Sequence, residues 1–363
     1  MSTDLKMLAP GLREARARRE SLVLATVVST EGSTYRKAGA RMLLAPDGRG
    51  WGLLGGGCFE GDLLERAARV AEDDVAAIVA YDLRGDDDLV WGLGAGCEGL
   101  SRILLQPVCA ANGYQPLAAL VDLVERRDRA LLVTVLDSPD PALAVGDAAL
   151  ASADGVTVLR GTGAAATQLA AESVRRFRAG AKKSVGELPL SGGLATLLLE
   201  PLRAPPHLLL AGAGPDAVPV ARMTAELGWD LTVVDRRQAW ARAERFPAGC
   251  RVLCVEPDGL AAALPAGADA ALVMTHRLSD DAAWLAALSH DPPDWIGLLG
   301  PARRKARVLA ELPEPARQRL NGRLRGPVGL DIGGEGAATI ALSALADIHA
   351  TLEGASGERL AAG

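Results

Sequence analysis

The chain has 363 residues, more than one hydrophobic core of ordinary size supports, so two domains are expected. Its net charge of −6 is spread along the sequence, which argues against a nucleic-acid partner, whose phosphates call for a concentrated basic face. Aromatic residues make up only 3% of the chain, so Leu, Val and Ala must build most of the core. No uninterrupted apolar stretch is long enough to span a bilayer, and MSTDLKMLAPGLREARARRE lacks the basic start and apolar middle of a signal peptide; a cytoplasmic protein is expected. Five cysteines without a CxxC pair indicate neither a disulfide scaffold nor a zinc site of usual spacing.

In chain order, Gly11 to Glu20 reads as a basic amphipathic helix and Leu22 to Thr30, rich in branched residues, as a strand. A polar loop, Glu31 to Met42, carries Arg36, Lys37 and Arg41. Asp47 and Gly48 then mark a hairpin turn between RMLLAP and RGWGLLG. Gly55, Gly56 and Gly57 precede Cys58 and a helix from about Phe59. This junction reads either as a tight turn with a packed thiol or as an anion cradle with a thiol at its rim. Val75 to Leu83 is a further strand. Asp86 to Asp88 read as a solvated charge run and not as a metal site. Gly92 to Gly99, with Gly94, Gly96 and Cys97, forms a second glycine-rich loop before the strand SRILLQPV. Helix, strand, hairpin and helix patterns follow. The strand Leu194 to Leu202 then echoes Ile103 to Val108, as two edge strands of one sheet would, or by chance. RAPP, Arg203 to Pro206, is a stiff linker, and the domains are set at 1–203 and 204–363.

The second half opens with LLLAGAGPDAVPVARMTAELGWDLTVVDRR, Leu208 to Arg237: apolar strand, glycine turn, helix, apolar strand, carboxylate. Gly212 permits the sharp turn, Gly214 a close approach of phosphate, and the helix beginning near Asp216 points its free amides there. Asp235 stands about 20 residues on, where a ribose hydroxyl is read. Strands and helices keep alternating, with a helix expected between Asp235 and Phe246, so a Rossmann-like parallel sheet is predicted with its ligands at the strand carboxyl ends. His276 lies at such an end, as a polar cap or a ligand contact. So does Gly300, ahead of Arg303, Arg304 and Lys305. Asp331 sits in a glycine-bracketed segment before the last helix.

With these residues assembled, the chain resembles the XdhC/CoxI family, accessory proteins of molybdenum hydroxylases such as xanthine dehydrogenase and carbon monoxide dehydrogenase. The resemblance rests on GSTYRKAGARM, GGGCFE, and GLGAGCEG before ILLQPV in the first half. In the second it rests on GAGPDA, VMTH, IGLLG with ARRK, and PVGLDIGG with IALSALAD. Tyr35, Glu98, Pro301 and Thr339 depart from the family's usual residues. The resemblance implies an α/β protein with an N-terminal mixed α/β XdhC-type domain and a C-terminal Rossmann-like domain. It further implies a chaperone that binds molybdenum cofactor, protects it while a cysteine desulfurase or other sulfurtransferase installs the sulfido ligand, and delivers it to an apo molybdenum hydroxylase. A homodimer is expected on the same ground.

The cofactor's pterin, dithiolene and phosphate, or dinucleotide extension, call for exposed backbone amides and a soft group near the metal. Gly55 to Gly57, Gly94 and Gly96 are candidates for the first, and Arg36 and Arg41 for bidentate phosphate contacts. A thiolate of Cys97, ahead of Cys58, is the candidate molybdenum contact, against the alternative that both thiols fill small volumes. Two other functions compete: an NAD(P)-dependent oxidoreductase, suggested by Asp235 in the Rossmann half, and a nucleotide-binding regulator of hydroxylase maturation. The first lacks a nameable acid–base pair beside a substrate pocket.

Overall fold

Alternation along Leu22–Gly32 organises the N-terminal half: Leu22 and Leu24 enter one core, Val23, Ala25 and Val27 another, so the strand is covered on both faces. The structure, a computed structural model, describes residues 3–55, 59–84, 99–264 and 267–359. It divides into two compact units, Met1–Ala204 and Pro205–Gly363.

Unit 1 is built twice. Helix α1 (Thr3–Arg18), strands β1 (Leu22–Gly32), β2 (Arg41–Leu44) and β3 (Gly50–Gly52), helix α2 (Glu60–Asp73), and strands β4 (Ala77–Asp82) and β5 (Gly99–Val108) form the first half. Helix α3 (Leu117–Arg126), strands β6 (Arg129–Asp137), β7 (Ala148–Ser152) and β8 (Gly155–Arg160), helix α4 (Gly163–Arg178), and strands β9 (Ser184–Leu190) and β10 (Gly193–Arg203) repeat that order. The two antiparallel sheets run β3-β2-β1-β5-β4 and β8-β7-β6-β10-β9. Their registers agree as well: Thr26 lies between Leu104 and Arg41, Thr134 between Leu198 and Ala148, and each ladder shifts just beyond that point. Gln106 is therefore the counterpart of Glu200, and Ala148 of Arg41.

The echo between Ile103–Val108 and Leu194–Leu202 has its cause here, in counterpart strands of two sheets, each in the interior of its own sheet and not at an edge. Pro107 and Pro201 are tolerated because the neighbouring ladders end at Leu105 and Leu199, two residues earlier. Helices α1 and α3 fill the space between the sheets, with Leu5, Leu8, Leu12 and Ala15 from α1 at helical spacing. The first of these helices runs through Pro10 and Gly11, where the sequence suggested a start. At Gly11 a Cβ would lie 2.6 Å from the Trp51 ring, so only glycine lets α1 sit this close to the sheet. Helix α2 covers the outer face of the first sheet and α4 that of the second.

A buried ion pair joins the repeats. The Arg41 guanidinium donates to Glu200 at 2.7 Å and to the Gly39 carbonyl at 3.1 Å, with the two side chains 4% and 3% exposed. At the counterpart position Gln106, a neutral amide, donates to the Gly146 carbonyl at 2.7 Å. Gly39 and Gly146 share a positive φ, +89° and +85°.

In unit 2, β11 (His207–Ala211), β12 (Asp230–Asp235), β13 (Arg251–Cys254), β14 (Ala270–Val273), β15 (Trp295–Leu298) and β16 (Leu324–Arg325) form one parallel sheet, ordered β13-β12-β11-β14-β15-β16. Helices α5 (Ala217–Glu226) and, after the short helices α6 (Leu260–Ala263) to α9, α10 (Ala337–Glu353) cover one face. Of the intervening helices, α7 (Leu278–Leu288) and α8 (Ala302–Glu311) cover the other, while α9 (Glu314–Leu320) precedes β16. This is the doubly wound Rossmann order, reversing between β11 and β14. The helix expected after Asp235 is absent: that stretch is turns with one 3₁₀ turn, Ala243–Arg245, because Arg237 and Arg245 bind local backbone and carboxylate oxygens. No helix among the described residues is long and apolar enough to cross a membrane.

Arg41→Ala strands a buried carboxylate and should cost about 3–5 kcal/mol in urea unfolding. Arg41→Ala with Glu200→Gln, the combination the other repeat uses, should recover most of that loss. A cost below about 1 kcal/mol for the single variant, the scale of an exposed pair, would show that the ion pair is dispensable.

Candidate functional site

Strand register brings the strand ends that border the unit 1 signature loops to one end of the first sheet. Gly32 lies opposite Gly99, Asp82 opposite Leu100, Arg41 opposite Thr26 and Gly52 opposite Met42. The described residues 33–40, 53–55, 83–84 and Gly99 therefore adjoin the same end of the sheet. Gly56, Gly57, Cys58, Gly94, Gly96 and Cys97 lie outside the described residues. Their flanks are closely packed: a Cβ on Gly99 would lie 2.5 Å from the Ser33 carbonyl oxygen, which only glycine avoids.

The described candidates here are already engaged. The Gly55 amide donates to Glu60 Oε1 at 2.9 Å, and the Phe59 amide to Oε2 of the same carboxylate at 3.2 Å. Arg36 donates to Asp4 at 2.5 Å while staying half-exposed. Arg41, expected to meet phosphate, is buried against Glu200. Lys183, from the second repeat, donates to the Ala38 carbonyl. Desolvation lowers its pKa against the opposite pull of Glu200 and Asp4. Three cations thus clamp loop 33–40, leaving Tyr35 and Lys37 exposed on it.

In unit 2 the candidates converge on the switch point. Gly212 has φ +117°, and a Cβ there would lie 2.6 Å from the Met274 carbonyl oxygen, so the turns after β11 and β14 touch backbone to backbone. His276, next along that second turn, adopts a left-handed φ of +65°, uncommon for a side-chain-bearing residue. Its Nε2 lies 2.6 Å from Asp216 Oδ2, while Asp216 Oδ1, folded over Gly214, is buried with no hydrogen-bond partner among the described residues.

Asp235 is buried at the end of β12. Its Oδ2 accepts the Ala213 amide at 2.9 Å and Arg237 Nη2 at 2.8 Å, and its Oδ1 accepts the Arg237 amide at 2.9 Å and Nε at 3.0 Å. Arg245 donates to the Ala213 carbonyl at 2.5 Å, so both ends of this residue are held.

The turn after β14 is braced from beneath. Buried Asp281 accepts the Thr275 hydroxyl at 2.5 Å and the Arg304 guanidinium at 2.6 and 2.9 Å. Gly300, with φ +123°, leaves room for Arg304, whose Cδ would lie 2.6 Å from a Cβ at that position. Gly212, Gly214, Asp216, Asp235 and His276 are thus gathered at the switch point, with Gly300 supporting them through Arg304. Asp331 is exposed in the segment before α10 and shares no hydrogen bond with them among the described residues. Sequence reasoning missed Asp281, Arg237 and Arg245; the paired Arg236–Arg237 after the strand-end carboxylate and the paired Asp280–Asp281 after VMTH were the available signals. No group of three or more His, Cys, Asp or Glu among the described residues is placed to hold a metal ion.

Comparison with known proteins places these features in a family. Residues 15–82 match the model of the XdhC and CoxI family, and residues 208–348 that of the XdhC Rossmann domain. A protein of Bacillus subtilis (strain 168) described as a probable xanthine dehydrogenase subunit is 31% identical over 334 residues, 92% of this chain and 94% of that protein. The uncharacterized protein YqeB of Escherichia coli (strain K12) is 33% identical over 160 residues, 43% of this chain and 29% of that one. The crystal structure of a xanthine dehydrogenase from Bacillus halodurans superposes with a TM-score of 0.75 at 28% identity, covering 97% of this chain and 96% of that chain.

Burial works to raise the Asp235 pKa, but the Arg237 side chain and the Ala213 and Arg237 amides hold it below the usual carboxylate range. Such a group adds stability that is complete above its unfolded pKa and is lost as pH falls through the folded one. Unit 2 should therefore weaken as pH drops below about 4, and Asp235→Asn should remove part of that acid dependence while lowering stability at neutral pH. Unfolding followed by the fluorescence of buried Trp229 and Trp295 measures both, and an unchanged acid limb in the variant would count against this account.

Proposed function

Since the chain belongs to the XdhC and CoxI family, we propose that it is a molybdenum cofactor chaperone: it binds the cofactor, shelters it during sulfuration, and passes it to a hydroxylase of the xanthine dehydrogenase or carbon monoxide dehydrogenase type. The observation that supports this reading is that the described flanks of the glycine-rich signatures, Gly55, Arg84 and Gly99, adjoin loop 33–40 at one end of the first sheet. An anionic pterin needs cations and bare amides on a surface that does not reorganise around it. Exposed Lys37 and half-exposed Arg36 fit that charge, on a loop pinned by Asp4, Glu200 and Lys183. Among the described residues of this rim Lys37 offers an exposed cation, while Arg36 is paired with Asp4 and Arg84 is shared between Glu31 and Asp82; Arg41 is a support of the loop and not a contact. When bound, the cofactor supplies a molybdenum centre that receives its sulfido ligand from a sulfurtransferase. The chain's own part is to bind and to exclude water, with the Cys97 thiolate as the proposed soft contact and Cys58 as its neighbour.

A second reading concerns the other unit. The Rossmann strand order, with Gly212 and Gly214 at the reversal, favours a nucleotide in that crevice. In this proposal the nucleotide is part of cofactor handling or a signal that regulates it, and the chain is not itself an oxidoreductase.

Protein purified from cells making molybdenum cofactor should carry pterin and molybdenum and should activate an apo-hydroxylase in the presence of a sulfurtransferase. Cys97→Ala should retain about tenfold less molybdenum, the worth of one metal contact of modest strength. Full retention and transfer by that variant would remove Cys97 from the site; absence of pterin from the wild type would remove the chaperone reading.

A further inference from the structure

The end of β12 is where a Rossmann carboxylate ordinarily accepts the two hydroxyls of a nucleotide ribose. In this chain that capacity is already used. An ionised carboxylate offers about four acceptor sites, and the Ala213 amide, the Arg237 amide, Arg237 Nε and Arg237 Nη2 fill them at 2.8–3.0 Å. To read a free diol, Asp235 would have to release a bidentate arginine and expose a carboxylate that is now buried. The arrangement resists that exchange, because Arg245 fixes the Ala213 carbonyl and both arginines sit against the Trp240 ring, at 5.6 Å for Arg237 and 4.8 Å for Arg245.

What this edge presents outward is positive. The Arg237 and Arg236 side chains are 32% and 38% exposed. Only two of the five N–H donors of the Arg237 guanidinium are spent on Asp235, and the fork that remains suits the oxygens of a phosphate. Arg236 has loose partners, Asp280 at 3.4 Å and Glu256 at 3.9 Å, beyond the 2.7–2.9 Å or so of a charge-assisted hydrogen bond. An incoming phosphate therefore displaces long ion pairs at Arg236 and leaves the Asp235–Arg237 pair in place.

We propose that the Rossmann crevice selects a nucleotide whose ribose carries an additional phosphate, a 2′-phosphate of the NADP kind, over one with a free diol, with Arg237 and Arg236 as the specificity-determining residues. The proposal rests on the reading of this crevice as a nucleotide site.

Calorimetric titration of the full-length protein with NADP⁺ and with NAD⁺ tests it, with 2′-AMP and 5′-AMP as smaller probes. NADP⁺ should bind at least about tenfold more tightly than NAD⁺, the worth of one charge-assisted hydrogen bond, and 2′-AMP should outcompete 5′-AMP. Arg237→Ala releases Asp235 to read a diol, so the preference should shrink or reverse; Arg236→Ala should shrink it without reversal. NAD⁺ binding as tightly as NADP⁺ to the wild type would overturn the selectivity and leave the nucleotide site standing. Binding of none of the four would overturn both.

Discussion

Sheets covered by apolar layers on both faces constrain everything else in this protein. Along β1 the side chains alternate between two cores, and in β11 Leu208 and Leu210 enter one core while Leu209 and Ala211 enter another. A polar group on either face would have to be paired or left costly and unsatisfied. The chemistry is therefore expelled to strand ends, where backbone amides and charged side chains can meet solvent. Both candidate sites obey this rule: the described flanks of the unit 1 signature segments lie at one end of a sheet, and the glycine turn, His276 and Asp235 of unit 2 sit at parallel strand ends.

The same constraint decided what the sequence could reveal. Doubly covered parallel strands read as short apolar runs, so the Rossmann half, its glycine turn and the gathering of Gly212, Gly214, Asp216, Asp235 and His276 were legible. The stretch after Asp235 was not. Its spacing mimics a helix, yet Arg237 and Arg245 capture nearby oxygens and hold turns, an outcome set by side-chain chemistry that periodicity does not report. Arg41 shows a different limit. Arginine in a polar loop beside glycines reads as an anion contact, but its partner, Glu200, lies 159 residues away, and nothing local announces it.

The duplication in unit 1 shows in the sequence at more places than the echo of Ile103–Val108 in Leu194–Leu202. Arg18-Arg19-Glu20 before β1 and Arg126-Arg127-Asp128 before β6 are counterparts, and Arg19 and Arg127 both take a left-handed φ, +53° and +59°, where each helix hands over to its strand. The halves have diverged at the loops after β1 and β6. Loop 33–40 is braced by cations from both repeats. Its counterpart closes on itself through Asp147, which accepts the Ala144 amide and whose pKa burial pushes up. One loop is held by partners from both repeats, the other by its own carboxylate.

The helix pair α1 and α3, laid between the sheets, also governs how unit 1 assembles. Each repeat has its outer face roofed by its own helix, but its inner face, with Leu24 in one half and Leu132 in the other, is closed by its own inner helix together with its sibling. A chain cut between β5 and α3 would leave a wide greasy wall on each fragment, so the fourteen described elements of this unit form a single cooperative body. The core on the inner side of the first repeat is therefore completed only by residues that follow it in the chain, so its apolar cover is finished when α3 and the second sheet have been made.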